Sequence, residues 1–166
     1  MQRAKIIETN LNFGDLSART YTNLIVIHHT GADIDASAKE IHRWHISAPN
    51  YYAGIGYHFV IRKDGTIERG RPVEAIGAHA YGFNAHSIGI QLSGDFDKTF
   101  PTMAQIEMTA MLIANLCADY RIPIDLIHIC GHCDLMATDC PGKNLYAKIP
   151  IIVGKANWYF YSDRMR

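Results

Sequence analysis

Leu24-Ile25-Val26-Ile27-His28-His29 is the stretch on which the fold turns. A short aliphatic run, mostly β-branched, reads as a buried strand. Successive side chains on a strand point to opposite faces, so His28 shares a face with Val26 and His29 shares one with Ile27. Only one of the two imidazoles can enter a given pocket. A strand end also holds a histidine rigidly at the rim of a sheet, where a cleft can open.

Beyond that run, Ser37-Ala38-Lys39-Glu40 forms a capping-box pattern that opens a short helix through Ile41 and Trp44, ended before Pro49. Residues 50–56 read as a loop. Tyr57-His58-Phe59-Val60-Ile61-Arg62 reads as a strand, Lys63-Asp64-Gly65 as a turn, and Thr66-Ile67-Glu68-Arg69 as its hairpin partner. Residues 87–92 form another strand. Thr102-Met103-Ala104-Gln105 is a second capping box, and it starts the longest helix, which runs to about Tyr120. Ile106, Met111, Ala114 and Cys117 are its expected core residues, with Cys117 a small buried hydrophobe. Arg121-Ile122-Pro123 stops the helix. Leu126-Ile127-His128-Ile129-Cys130-Gly131-His132 reads as a further strand. A loop with Pro141-Gly142 and a final helix from about Asn144 follow. Strands interleaved with helices, plus one hairpin, predict an α/β fold: a single domain with a central mixed β-sheet flanked by helices. Residues 1–22 are expected as an N-terminal arm lying over a domain of residues 23–166.

The bulk numbers narrow the class. The chain has 166 residues, 48% hydrophobic and 19% charged, which suits one globular domain with its own core. Zero formal net charge and a pI near 7.1 give no long-range steering to nucleic acid or anionic membrane. No run approaches the roughly twenty apolar residues that span a bilayer. The start, Met1-Gln2-Arg3-Ala4-Lys5-Ile6-Ile7-Glu8-Thr9-Asn10, lacks an apolar signal core, so synthesis in the cytoplasm is expected. A monomer is the expected state.

His28, His132 and Cys140 offer three soft or borderline metal ligands. An open catalytic zinc site needs three, because the fourth position is left for water or substrate. His132 and Cys140 lie eight residues apart, whereas His28 is about a hundred residues away, so spacing alone does not join them. Of the nine histidines, His42, His45, His58, His86 and His128 read as non-ligands. A rival reading makes Cys130-Gly131-His132-Cys133 with Cys140 a closed structural zinc knot, or Cys130 and Cys133 a redox pair. On residue chemistry alone the open and closed sites stand even.

Five segments bear on that choice. They are Val26-Ile27-His28-His29-Thr30, Gly56-Tyr57-His58-Phe59-Val60-Ile61, Asp64-Gly65-Thr66-Ile67-Glu68-Arg69-Gly70-Arg71, residues 76–90 (Ile76-Gly77-Ala78-His79 to Ser87-Ile88-Gly89-Ile90), and Gly131-His132-Cys133-Asp134 leading to Thr138-Asp139-Cys140-Pro141-Gly142. In this order they strongly resemble the amidase-2 and peptidoglycan recognition protein family, which includes zinc-dependent N-acetylmuramoyl-L-alanine amidases of phages and bacteria. The resemblance implies Zn2+ held by His28, His132 and Cys140. It implies a catalytic role for Tyr57 and a place lining the cleft for His79. Thr138 falls where phage lysozyme-type amidases carry a catalytic lysine and active animal recognition proteins a threonine. With Tyr57, Thr138 and His79 are the candidate catalytic groups: Thr138 supplies a hydrogen bond, and no positive charge, to the oxyanion, and His79 binds substrate or stabilises charge. Family members that bind peptidoglycan without cutting it typically lack the cysteine at 140.

The implied reaction is hydrolysis of the amide between N-acetylmuramic acid and L-alanine, with peptidoglycan or muropeptide as partner. No His-Glu-x-x-His pattern supplies a glutamate base, so the proton acceptor is unassigned. The aromatics of residues 50–55 and 81–84 are expected near the cleft. A compact prophage-type endolysin, released to the wall by a separate lysis factor, is the leading context. A cytoplasmic muropeptide-recycling amidase and a non-catalytic recognition module are the alternatives.

Overall fold

The computed structural model describes residues 2–162; Met1 and residues 163–166, the latter within the expected 23–166 domain, lie outside the described residues. The strands are β1 (Ile6–Ile7), β2 (Leu24–His29), β3 (Phe59–Ile61), β4 (Ile67–Arg69), β5 (Ser87–Leu92) and β6 (Ile129–Gly131). They form one mixed sheet in the order β1-β4-β3-β5-β2-β6. Only β3 and β4 pair antiparallel, as the hairpin around Gly65 requires; every other pair is parallel. The helices are α1 (Ala38–Ile46), α2 (Met103–Tyr120), α3 (Lys143–Tyr146) and α4 (Ile149–Tyr161).

Both capping boxes form. Ser37 accepts from the Glu40 N–H while the Glu40 carboxylate accepts from the Ser37 N–H, and Thr102 and Gln105 repeat the arrangement. Arg121 ends α2 in the left-handed conformation at φ 57°. One face of the sheet is apolar. Ile25, Ile27, Ile88, Ile90 and Leu92 pack there beneath α2 and α4, with Ile113, Leu116 and Ile152 from the helices. Each such side chain contributes about 1.5–3 kcal/mol by leaving water. The opposite face is smaller and mixed. Val60 packs with Ile41 and Ile55, and Val26 with Leu24 and Cys130.

Three expectations need correction. The strand expected over 126–132 is only Ile129–Gly131. Asp125 Oδ1 accepts from the Ile127 and His128 N–H groups, so residues 125–128 turn, and Ile127 is 79% exposed. The single helix expected from Asn144 is two helices, because Pro150 lacks an N–H and fits only a first helical turn. The hairpin strands are shorter than expected by one to two residues at their ends. In addition, residues 6–7 pair in parallel with β4, so the N-terminal segment adds an edge strand to the sheet.

Candidate metal centre and cleft

His28 leaves the end of β2 on the Val26 face and is 1% exposed, while His29 turns to the other face against Phe96. β6 is hydrogen-bonded to β2, and its chain runs straight into a 3-10 turn, His132–Asp134, which carries His132 beside His28. The two ring centroids are 4.5 Å apart. The Cys133 N–H donates to Cys140 O at 2.8 Å, which folds the 132–142 loop back on itself and returns Cys140 to the same place. One donor atom from each of His28, His132 and Cys140 lies within 4.8 Å of the others. Cys140 Sγ is 3.5 Å from His28 Nδ1. His132 Nε2 is buried without a hydrogen-bond partner.

Hydrogen-bond direction settles which nitrogen of His28 is free. Ser87 Oγ–H donates to Phe83 O at 2.8 Å, so it accepts from His79 Nε2–H at 3.3 Å. His79 Nδ1 is then the acceptor for His28 Nε2–H at 3.0 Å. The Nδ1 lone pair of His28 is left facing the thiol of Cys140. Gly89 makes this chain of bonds possible, because a Cβ there would sit 2.6 Å from His79 Cγ.

The electrostatics favour neutral donors. Burial first, and then the neighbouring His132, hold His28 well below the usual imidazole range. Burial and His28 do the same to His79, and burial lowers His132. Burial pushes the Cys140 thiol up to about 12. Three neutral donors, one of them an orphaned buried nitrogen, suit a soft or borderline divalent cation such as zinc, whose charge would deprotonate the thiol.

A cleft of about 420 Å³ opens beside this centre, lined by His45, Tyr52, Tyr57, His79, Tyr81 and His132 among others. The Tyr57 ring lies 5.0 Å from His28 and 5.5 Å from His45. Burial, followed by Cys140 and Tyr52, raises its pKa, so the phenol keeps its proton. Tyr81 stands at the mouth, 89% exposed.

The fold therefore brings His28, His132, Cys140, Tyr57 and His79 together. Thr138 lies apart from the cleft lining. It borders a neighbouring hollow with Asp97 and Lys143, and its Oγ1 accepts from the Cys140 N–H at 3.2 Å. Cys130 packs against Leu24 and Val26, and burial raises its thiol to about 12. His42, His58, His86 and His128 each hold a local hydrogen bond. His45 also does so, accepting from the Gly56 N–H, but in addition it lines the cleft, a placement the sequence did not disclose. Its position on the inward side of α1 was the only available sign. A second set of potential ligands, His29, Asp95 and Asp97, is already engaged: His29 Nδ1 accepts from the Phe96 N–H, and Asp95 pairs with Lys98.

Residues 18–143 match the family described as N-acetylmuramoyl-L-alanine amidase. The endolysin of Klebsiella phage KP32 is 34% identical over 134 residues, covering 76% of this chain and 85% of the relative. Peptidoglycan-recognition protein SC2 of Drosophila simulans is 32% identical, covering 80% and 75%. Among solved structures, the endolysin amidase LysCS of Clostridium intestinale superposes with a TM-score of 0.83 at 37% identity, covering 92% of this chain and 97% of that one.

Proposed function

The chain belongs to the N-acetylmuramoyl-L-alanine amidase family, and on that premise we propose that it is a zinc-dependent amidase of the phage-endolysin type. Its reaction is cleavage of the bond between N-acetylmuramic acid and L-alanine in peptidoglycan. The observation that carries this reading is the convergence of His28 Nδ1, Cys140 Sγ and the unpartnered His132 Nε2 at the end of an open cleft. Zinc bound there would polarise a carbonyl and lower the pKa of a water to about 7.

The chain's own groups have separable tasks. His28, His132 and Cys140 are the proposed ligands. His79, backed by Ser87, fixes the tautomer and orientation of His28, and it also forms part of the cleft wall. Tyr57 keeps its proton at neutral pH and donates to the scissile carbonyl oxygen as negative charge builds on it. Thr138 holds the backbone of Cys140 in place through its N–H. The presence of Cys140 favours cleavage over recognition alone, because a lone pair of imidazoles would leave the site one ligand short.

The test is mass spectrometry of purified peptidoglycan incubated with untreated protein, chelated protein, and chelated protein resupplied with zinc. Stem peptides that begin with L-alanine, lost on chelation and restored by zinc, are expected. Folded, zinc-loaded protein that releases no such peptide from several wall types would overturn the reading in favour of a binding module.

A further inference from the structure

Residues 13–19 are bonded to the two segments that lead into the walls of the cleft. At one end, the Gly14 N–H donates to Ala53 O at 2.8 Å. The Phe13 ring packs edge-on against His42 at 5.2 Å. Gly54 makes room for it, with φ at +148°; a Cβ there would sit 2.3 Å from Phe13 Cδ1. Ala53 and Gly54 belong to the loop that carries Tyr52 and leads to Tyr57 on the first wall.

At the other end, the Ile76 N–H donates to Ser17 O at 2.8 Å, the Arg19 N–H donates to Glu74 O at 2.6 Å, and Ala18 bridges Ala75. The Arg19 guanidinium donates to Ala75 O at 2.9 Å, to Val73 O, and to Thr22 Oγ1 at 2.7 Å. Ala75 O also takes the Nε2–H of His58, whose ring meets His79 at 5.7 Å. Ile76 lies directly before residues 77–81, which form the second wall. At their base the walls already touch, the Ala78 N–H donating to Gly56 O at 3.1 Å. A loop held at one point pivots, and a second tie removes that freedom.

We propose that residues 13–19 are a strap that joins the two walls and sets the width of the cleft, positioning substrate without touching it. This rests on the reading of the cleft as a muropeptide site. The family match begins at residue 18, so Phe13 to Ser17 lie outside it.

The test separates the two attachments while leaving each intact. Gly14 to Ser17 covers four residues, and inserting about eight Gly/Ser residues after Asp15 triples that span, which weakens the coupling about fivefold. Amide hydrogen exchange in residues 52–56 and 77–81 should quicken by about that factor, with exchange in β2 and β5 unchanged. The Kd of metal-free protein for N-acetylmuramoyl-L-alanyl-D-isoglutamine should rise by the same order, while zinc uptake is unaltered and the thermal midpoint falls by no more than a few degrees. Arg19→Lys keeps the charge but loses the guanidinium fork, so its faster exchange should be confined to residues 77–81. A folded insertion variant with wild-type exchange and wild-type Kd overturns the strap. Faster exchange spread evenly over the sheet also overturns it, as general destabilisation. Wild-type protein that neither binds nor cleaves muropeptide would remove the amidase reading, and the exchange comparison would still decide the strap.

Discussion

The two faces of β5 make different demands on the same six residues. Ile88, Ile90 and Leu92 point into the apolar core, where any well-packed aliphatic side chain would serve. Ser87 and Gly89 point the other way. Ser87 terminates the hydrogen-bond chain through His79 to His28, and Gly89 leaves the space that the His79 ring fills. The core face tolerates chemistry and resists changes in volume. The site face tolerates neither, because a missing proton acceptor or one added methyl displaces His28, a proposed ligand. Stability and activity should therefore separate by face.

The largest expected effect comes from His28→Ala or Cys140→Ala. Either should lower amidase activity by about a thousandfold or more and remove bound zinc, with little change in the metal-free thermal midpoint. Full activity in either variant would refute the ligand assignment. On the opposite face, Ile90→Ala should cost about 2–5 kcal/mol in urea unfolding, while the surviving folded fraction keeps its metal. Tyr57→Phe should retain zinc and lower kcat by roughly a hundredfold; an unchanged rate would mean that the hydroxyl is dispensable. Ser87→Ala should weaken zinc affinity by about tenfold in a chelator competition, with the fold intact. Equal affinity would show that His28 is oriented without that chain.

The smallest effect depends on pH and belongs to His58. Burial is the main cause that lowers its pKa from 6.5 to about 3; Arg19, Arg71 and Arg69 add to it, the Ala75 carbonyl opposes it, and the His79 ring packs alongside. Because the unfolded chain binds this proton more readily, stability falls as pH drops below 6.5 and levels off below about 3. At pH 5.5 the loss from His58 is roughly 1–2 kcal/mol. The urea midpoint of metal-free protein should fall through that window, and His58→Gln should make the fall shallower by one histidine's share, the remainder belonging to His28, His79 and His45. An unchanged slope would assign the acid sensitivity to other buried histidines.

Much of the fold was legible along the chain. The β2 strand, the Gly65 turn and both capping boxes are encoded by neighbours within a few residues, so composition and spacing disclose them. Leu126 and Ile127 misled because they are apolar, although Asp125 turns the backbone there and leaves both exposed. The break before Pro150 was written in the sequence and the single-helix expectation passed over it. In the site, His28, His132 and Cys140 were named from their chemistry, but residue chemistry alone left them even with a local cysteine cluster.

Local periodicity and residue type were enough for the strands and helices, the apolar faces, and the supply of imidazole and thiol groups. The five ordered segments added a likeness to a family. Only the tertiary structure decided which distant groups meet. β2 and β6 pair in parallel although about a hundred residues separate them, and that pairing carries His132 to His28. The tautomer of His28 follows from the bonds through His79 to Ser87, the place of His45 in the cleft from the packing of α1, and the offset of Thr138 from the fold of the 132–142 loop. A sequence lists donors and acceptors, whereas direction and distance exist only once the chain has closed around them.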